Sequence, residues 1–399
     1  MSRLESSTSS SALFANQEPT LSKLERQHRE IPAAHQRHCL PTAVVYCESR
    51  FASKDGKTAN GLVRHSGKYR IMAVIDSLNA GQDAGVALDG APVGIPVCAS
   101  LDAAVDLAGH LPDYFIFGMA PADGMLSPSE RRIVLDAIGR GMHVVSGLHE
   151  FLHDDPEIAN AAALSGVEIL DVRRPRAQKL LRMFSGQIYD LNCPRIAVMG
   201  TDCAVGKRTT ATVLIQALTA AGMKAILIST GQTGLIQGAR YGVALDAVPS
   251  QFCSGEVEAL IIEACENESP DVIVIEGQGA LSHPALSTSS LILRGCHPHA
   301  VVLQHAPMRR QRCDFEYMPV PTPASEIALI EAFAKTRVIG ITINHEDMTS
   351  AEIEDAVERL EAELGLPVID ALLHPPQRLV EMVLASFPQL RRERLAIVT

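Results

Sequence analysis

The segment GTDCAVGKRT combines residue types that bind phosphate groups. Gly200 and Gly206 let the backbone curl so that its N–H groups converge on an anion, and Lys207 adds a positive charge. The apolar run RIAVMG before the loop predicts a strand, and the run TTATVLIQALTAAG after it predicts a helix. We therefore predict that the loop binds the phosphates of a nucleotide-like cofactor; a glycine-rich turn with a solvated lysine is the alternative. The predicted contacts are Gly200, Thr201, Asp202, Cys203, Ala204, Val205, Gly206, Lys207, Arg208 and Thr209.

Arg208 occupies the position that a Ser or Thr holds in nucleotide-hydrolysing loops, where the hydroxyl binds magnesium. Thr209 lies about 100° further around the predicted helix, so it need not reach the same ion. We therefore predict a loop that holds phosphates without cleaving them, and we predict no metal site. Coenzyme A is a ligand of this kind, because its diphosphate is only a handle and its chemistry occurs at the thioester. Arg208 either pairs with one of the other phosphates of such a ligand or faces solvent.

The elements around this loop predict an α/β fold with two domains, which a chain of 399 residues also favours. Residues 1–39 are polar and Ser-rich and predict a flexible tail. Residues 40–185 alternate short apolar strands with helices and predict a Rossmann-like domain with a parallel sheet, although a Gly-x-Gly-x-x-Gly motif is missing. Residues 186–399 repeat the alternation and predict a P-loop NTPase-like domain.

The composition argues against several classes of partner. The formal net charge of −11 gives no general attraction for nucleic acid. No apolar run approaches the roughly 18 residues that span a membrane, and the polar N-terminus does not resemble a signal peptide. Nine scattered cysteines without a Cys-x-x-Cys pair indicate a reducing compartment. We therefore predict a cytoplasmic protein with a small-molecule substrate.

Five motifs in combination resemble one protein family: DVRRP, VMGTDCAVGKRTT, STGQTG, VIEGQGALSHPA and TINHE. This is the P-loop family of the D-glutamate N-acetyltransferase DgcN, formerly catalogued as a domain of unknown function, and the resemblance covers about residues 40–385. The loop is also distantly similar to that of dethiobiotin synthetase-type proteins. The resemblance implies acetyl transfer from acetyl-CoA, as co-substrate, to the amino group of a D-amino acid such as D-glutamate. An ATP- and magnesium-dependent ligase or kinase, and a non-catalytic nucleotide-binding protein, are the alternatives.

Amine acetylation needs a base for the amino group and hydrogen-bond donors for the thioester oxyanion. The candidate bases are Glu276, at the end of an apolar strand, His283 and Asp314. Burial at a strand end would raise the pKa of a carboxylate toward neutrality. The alternatives are that Glu276 caps a loop and that His283 is a surface residue. The oxyanion donors are predicted to be backbone N–H groups of residues 276–280.

A dicarboxylic substrate requires cations, and two arginine clusters could supply them. The predicted substrate-binding residues are Arg173, Arg174, Thr233, Gln278, Arg309 and Arg310. Asn344 follows a late strand, where an asparagine in related P-loop folds contacts adenine, so it is assigned to the cofactor. We expect the ligands in a cleft between the domains. Related P-loop proteins often dimerise, which favours a homo-oligomer, in particular a dimer.

Overall fold

The computed structural model describes residues 40–121, 124–313 and 315–391. The predicted flexible tail and the candidate base Asp314 lie outside these residues. Within them, no helix is both long enough and apolar enough to cross a membrane.

The first sheet has six parallel strands among the described residues, in the order β3-β2-β1-β4-β5-β6. The strands are β1 (Thr42–Tyr46), β2 (Arg70–Ile75), β3 (Val97–Cys98), β4 (Tyr114–Phe117), β5 (His143–Ser146) and β6 (Ile169–Asp171). Its helices are α1 (Lys57–Arg64), α2 (Ala84–Asp89), α3 (Leu101–Ala108), α4 (Pro128–Gly139) and α5 (Pro156–Ser165). Helix α4 starts where Ser127 and Glu130 form a reciprocal capping box, as the segment SPSERRIVLDAIG predicts.

The second sheet has seven parallel strands in the order β15-β14-β11-β7-β10-β8-β9, and a two-stranded antiparallel ribbon, β12-β13, lies apart from it in the described chain. The strands are β7 (Arg195–Gly200), β8 (Ala225–Ser229), β9 (Tyr241–Gly242), β10 (Val272–Glu276), β11 (Ala300–His305), β12 (Gln311–Arg312), β13 (Phe315–Pro319), β14 (Val338–Ile343) and β15 (Val368–Asp370). The helices are α6 (Lys207–Ala220), α7 (Gln232–Gln237), α8 (Ser250–Glu268), α9 (Thr288–Cys296), α10 (Pro323–Ala334), α11 (Ser350–Leu364) and α12 (Pro376–Ser386).

Strand β7 is central in the second sheet and is covered on both faces. Ile196 and Val198 pack into one apolar cluster, with residues of α6 and α12, whereas Ala197 and Met199 pack into another, with residues of α8 to α11. This alternation follows from the two-residue period of a strand. The neighbours of β7 are β10 and β11, so the sheet order reverses at β7, and a crevice opens at the carboxyl end of such a strand. The predicted phosphate-binding loop begins at that end.

Helix α7 of the P-loop domain packs against α1 of the Rossmann-like domain. The side chains of Thr58 and Thr233 hydrogen-bond at 3.0 Å, and Gln237 Nε2 donates to Gly61 O at 2.7 Å. Ile236 is 1% exposed and belongs to the apolar core of the first sheet. The described residues accordingly form one compact unit. The predicted α/β class, with a Rossmann-like domain followed by a P-loop domain, is confirmed; the boundaries at residues 39/40 and 185/186 stay predictions.

Candidate functional site

The phosphate-binding loop closes on itself in this structure. Gly206 has a φ of 105°, a left-handed conformation that glycine adopts without strain, and α6 begins at the next residue. Lys207 Nζ donates to Asp202 O at 2.5 Å, across the loop. Burial lowers the pKa of Lys207 to about 8, and the thiol of Cys203 and the carboxylate of Asp202 oppose that shift. The Lys207 ammonium is therefore hydrogen-bonded to the backbone of its own loop, and an incoming anion could replace that contact.

Arg309 holds the loop from outside. Its Nε and Nη2 donate to the two oxygens of Glu346, at 2.8 and 2.9 Å. Its remaining N–H groups reach Asp202 Oδ2 at 3.3 Å, and Cys203 O at 2.6 Å and Ala204 O at 3.3 Å. All five donors of the guanidinium are thus used. This geometry favours a loop-positioning role over the substrate contact that the sequence predicts for Arg309.

Asp202 has two carboxylate oxygens in different surroundings. Oδ2 accepts from the backbone N–H of Cys313 at 2.7 Å as well as from Arg309. Oδ1 is buried and has no hydrogen-bond partner among the described residues. A buried unsatisfied oxygen costs free energy, so a ligand or ion that supplies a donor or a positive charge here would bind favourably.

Glu276 lies at the end of β10 beside the loop. Its Oε2 accepts from Ser229 Oγ at 2.5 Å and from the backbone N–H of Thr230 at 3.3 Å. Burial raises the pKa of this carboxyl group, while the positive charge of Arg208 and the Ser229 hydrogen bond act in the opposite direction. Gln278 Nε2 in turn donates to Thr230 O, which ties the two strand ends together. A buried carboxyl with a raised pKa has the properties of a general base.

Arg208 points at the other domain. Its Nη2 donates to Lys57 O at 3.4 Å, and a Cβ on Gly61 would come within 2.7 Å of the same nitrogen. The residue is half-buried between α1 and α6. Of the two alternatives that the sequence leaves open, a side chain facing solvent is therefore wrong for this structure. Burial lowers the pKa of Arg208, and the Glu276 carboxylate counteracts that effect.

Lys57 was missed by the sequence analysis. It is the first residue of α1, and its side chain is exposed although protein surrounds it. Burial lowers its pKa, the positive charges of Arg173 and Arg208 lower it further, and the thiols of Cys203 and Cys313 oppose the shift. The triplet Gly56-Lys57-Thr58 at the start of α1 has the Gly-Lys-Thr ending of a P-loop pattern, and this is the sequence signal that could have identified the lysine.

His283 is buried next to the loop, so the alternative of a surface histidine is wrong. Its Nδ1 accepts from the backbone N–H groups of Ala285 at 3.3 Å and Leu286 at 3.2 Å. Because Nδ1 accepts hydrogen bonds, the proton of the neutral ring is assigned to Nε2, and Nε2 then acts as a donor. This tautomer suits a group that stabilises an oxyanion better than the predicted base.

One group of side chains has donor atoms that could hold a metal ion. An oxygen of Asp202, the sulfur of Cys203 and a ring nitrogen of His283 all lie within 4.8 Å of one another. The set of O, S and N donors would suit zinc. The Nε2–H tautomer of His283 is unfavourable for a ligand, because that nitrogen has no lone pair to give. The expectation of no metal site stays a prediction.

The other predicted site residues are distributed as follows. Arg173 is buried, donates from Nε to Gly147 O at 2.5 Å and forms an ion pair with Asp246 of the second unit, so it bridges the domains. Arg174 pairs with Asp154 on the surface and Arg310 is exposed, so neither lies with the loop in any described contact.

Three further predicted residues, Thr233, Thr209 and Asn344, complete the set. The Thr233 hydroxyl is engaged with Thr58, and Thr209 is half-buried one position after Arg208. Asn344 Nδ2 donates to Glu346, the partner of Arg309, which places it on the outer side of the loop. The structure thus brings together the loop, Glu276, Gln278 and His283, and adds Lys57.

Comparisons with known proteins agree with this architecture. Residues 182–380 match the P-loop domain of the family described as domain of unknown function DUF1611, and residues 77–175 match its Rossmann-like N-terminal domain. A protein of Pseudoalteromonas sp named D-glutamate N-acetyltransferase is 34% identical over 265 residues, which cover 65% of this chain and 77% of the relative. One of the same name from Tritonibacter scottomollicae is 32% identical over 277 residues, with coverages of 68% and 80%. The crystal structure of a DUF1611 family protein from Anabaena variabilis superimposes with a TM-score of 0.79 at 30% identity, over 86% of this chain and 99% of that one.

Proposed function

Because the chain belongs to the DUF1611 family, we propose that it is an N-acetyltransferase that moves the acetyl group of acetyl-CoA to the amino group of D-glutamate. The identity of the acceptor amino acid is taken from the names of the two relatives, and the identity of the acetyl donor is inferred from the predicted phosphate-binding loop. The observation that carries the proposal is the buried Glu276 beside a phosphate-binding loop whose lysine is followed by Arg208. Such a site can grip a phosphorylated carrier and remove a proton nearby.

The proposed reaction forms one bond and breaks one. Glu276 takes a proton from the ammonium group of the amino acid, and the neutral amine attacks the thioester carbonyl carbon. The new C–N bond forms, the C–S bond breaks, and the CoA sulfur leaves with the second proton of the attacking nitrogen, while Glu276 returns the first proton to solvent. The products are the N-acetyl amino acid and free CoA. The raised pKa of Glu276 supports this role, because a base is most effective when its pKa lies near the working pH.

The oxyanion that forms on the thioester carbonyl needs hydrogen-bond donors. His283 Nε2–H is one candidate, since Nδ1 is already held by two backbone N–H groups. The backbone N–H groups of residues 276–280 are the other. Removing one such donor typically lowers kcat by about 100- to 1,000-fold.

The phosphates of CoA are assigned to the loop residues 200–208. Lys207 would exchange its hydrogen bond with Asp202 O for a phosphate oxygen, and the N-terminus of α6 would add its backbone N–H groups. The loop thereby fixes the carrier while the bonds of its phosphates stay intact.

Purified protein mixed with acetyl-CoA and D-glutamate tests this proposal. We expect release of free thiol, followed with a chromogenic thiol reagent, and an N-acetylglutamate product by mass spectrometry. L-Glutamate serves as the stereochemical control. Thiol release at the background rate with every D-amino acid tried would refute the proposal, and magnesium-dependent ADP formation from ATP would support a ligase or kinase instead. The ligand that the protein retains on purification, CoA or an adenine nucleotide, is an independent readout.

The proposal also covers the cellular location of the protein and its oligomeric state. We propose a cytoplasmic enzyme, which is supported by the eight cysteines among the described residues that form no disulfide, because thiols persist in a reducing compartment. A homodimer is proposed by analogy with other P-loop proteins. Size-exclusion chromatography with light scattering distinguishes a dimer from a monomer of 42.8 kDa.

A further inference from the structure

The backbone of Lys57 lies at the boundary of the two domains and is fixed there by two contacts. The next residue, Thr58, hydrogen-bonds through its side chain to Thr233, at the start of α7. The carbonyl of Lys57 itself accepts from Arg208 Nη2 at 3.4 Å. Two contacts with the second unit therefore determine where the Lys57 side chain starts. The exposed side chain of Lys57 therefore begins next to the Arg208 guanidinium.

The charges around this lysine are mainly positive. The Arg208 guanidinium lies against the Lys57 carbonyl, and Arg208 and Arg173 are the cations whose charges lower the pKa of the Lys57 ammonium. Arg173 is neutralised by its ion pair with Asp246. By contrast, neither Lys57 nor Arg208 has an ion pair with any acid among the described residues, although the carboxylate of Glu276 lies close enough to influence Arg208. Two cations brought together without a paired acid repel each other, and an anion between them would remove that cost.

We propose that Lys57 and Arg208 form an anion-binding subsite across the domain boundary, which takes an oxyanion group of a bound substrate. The inference rests on the proposed function for the identity of that group. Two sources have the required chemistry: the side-chain carboxylate of the acceptor amino acid and the phosphate on the ribose of CoA. In either case the N-terminal domain supplies a cation to the reaction that the P-loop domain carries out.

The test compares Lys57→Gln with a matched control, Lys68→Gln. Lys68 belongs to the same domain and lies over the ring of Tyr69, beside Gly238 at the opposite end of α7. The side chain of Lys57 is exposed at a helix start, so its replacement should leave folding intact. Lys57→Arg keeps the charge and should preserve most of the activity.

We expect Lys57→Gln to raise one Michaelis constant by about 10- to 100-fold, as the loss of a hydrogen bond to a charged group does, and Lys68→Gln to raise neither. A higher KM for D-glutamate but not for D-glutamine assigns the subsite to the side-chain carboxylate. A higher KM for acetyl-CoA but not for acetyl-dephospho-CoA, which lacks the ribose phosphate, assigns it to the phosphate. Equal KM values for wild type and Lys57→Gln with both substrates would overturn the subsite.

Failure of the proposed function is distinguishable from failure of the subsite. If the wild-type protein transfers no acetyl group, thermal melting with CoA and with D-glutamate becomes the readout. A ligand-induced rise of Tm that is smaller in Lys57→Gln than in Lys68→Gln would still support the subsite. The same rise in both variants would reject it.

Discussion

The carboxyl-terminal edges of the two parallel sheets carry similar residue types but differ in how those residues are used. At the first sheet, Asp76 Oδ1 accepts from the backbone N–H groups of Ser49 and Leu78, both at 3.0 Å. Asp171 likewise accepts from the backbone of Leu152 and His153, both at 3.0 Å. These carboxylates hold their own loops and have little capacity left for a ligand.

At the second sheet the polar groups are not fully used by the protein. Glu276 is held through one oxygen by Ser229, and Asp202 Oδ1 has no partner among the described residues. Among the residues that the structure describes, Lys207 Nζ donates only to a carbonyl of its own loop. The difference teaches that the same edge of the same kind of sheet is used up by structural hydrogen bonds in one domain and leaves polar groups available for the proposed ligands in the other. In the proposed subsite, the first domain contributes through α1 rather than through its sheet edge.

The strongest test of this contrast replaces one acid at each edge. Glu276→Gln should lower kcat by about 100- to 10,000-fold, the typical contribution of a general base, and leave Tm nearly unchanged because burial already disfavours the charged form. Asp76→Asn should do the opposite: it should lower stability by about 1–2 kcal/mol through its lost charge-assisted hydrogen bonds and leave kcat intact. Thiol-release kinetics and thermal melting on both variants provide the comparison, which fails if the two acids behave alike.

The loop lysine gives the next largest expected effect. Lys207→Gln should weaken acetyl-CoA binding by about 10- to 100-fold, since it removes a point charge from the phosphates, with a smaller effect on the KM for D-glutamate. Calorimetry with CoA measures the loss. Unchanged affinity would mean that the loop does not bind the carrier.

The pH dependence of kcat/KM should have two limbs. On the acid side it should rise with pH as Glu276 loses its proton, at a pH above the ordinary range for glutamate because burial raises its pKa. On the alkaline side it should fall above about pH 8, where Lys207 in the free enzyme loses the charge that binds phosphate. Lys207→Arg keeps its charge at all these pH values and should move the alkaline limb upward. An alkaline limb that stays in place would assign it to another group.

Arg208→Ser should have the smallest effect. It removes the other cation of the proposed subsite, so we expect the KM of the substrate affected by Lys57→Gln to rise by about 10-fold. The variant restores the hydroxyl residue of a hydrolysing loop, yet we expect no gain of magnesium-dependent ADP formation. Such a gain, measured by a coupled ADP assay, would mean that one residue alone had disabled an ATP-cleaving site.

Much of the fold and part of the site follow from local sequence. The strand, the glycine loop and the helix from Arg195 to Ala220 are contiguous, so their pattern predicts both the elements and the position of Lys207. The apolar run that ends at Glu276 likewise predicts a carboxylate at a strand end. These features depend on backbone geometry and on residues close in the chain, which sequence periodicity reports directly.

The tertiary structure alone decided how the charged side chains are used. Arg208 and Lys57 are 151 residues apart and meet only because α7 packs on α1. Arg309, predicted to bind substrate, has all its donors engaged by the loop and Glu346, and the proton of His283 is assigned to Nε2 by backbone N–H groups that contact Nδ1. The sequence determines which charges exist and which lie on the loop. Their partners depend on domain packing, because electrostatic and hydrogen-bond energies are set by distances of a few ångström that no spacing in the chain encodes.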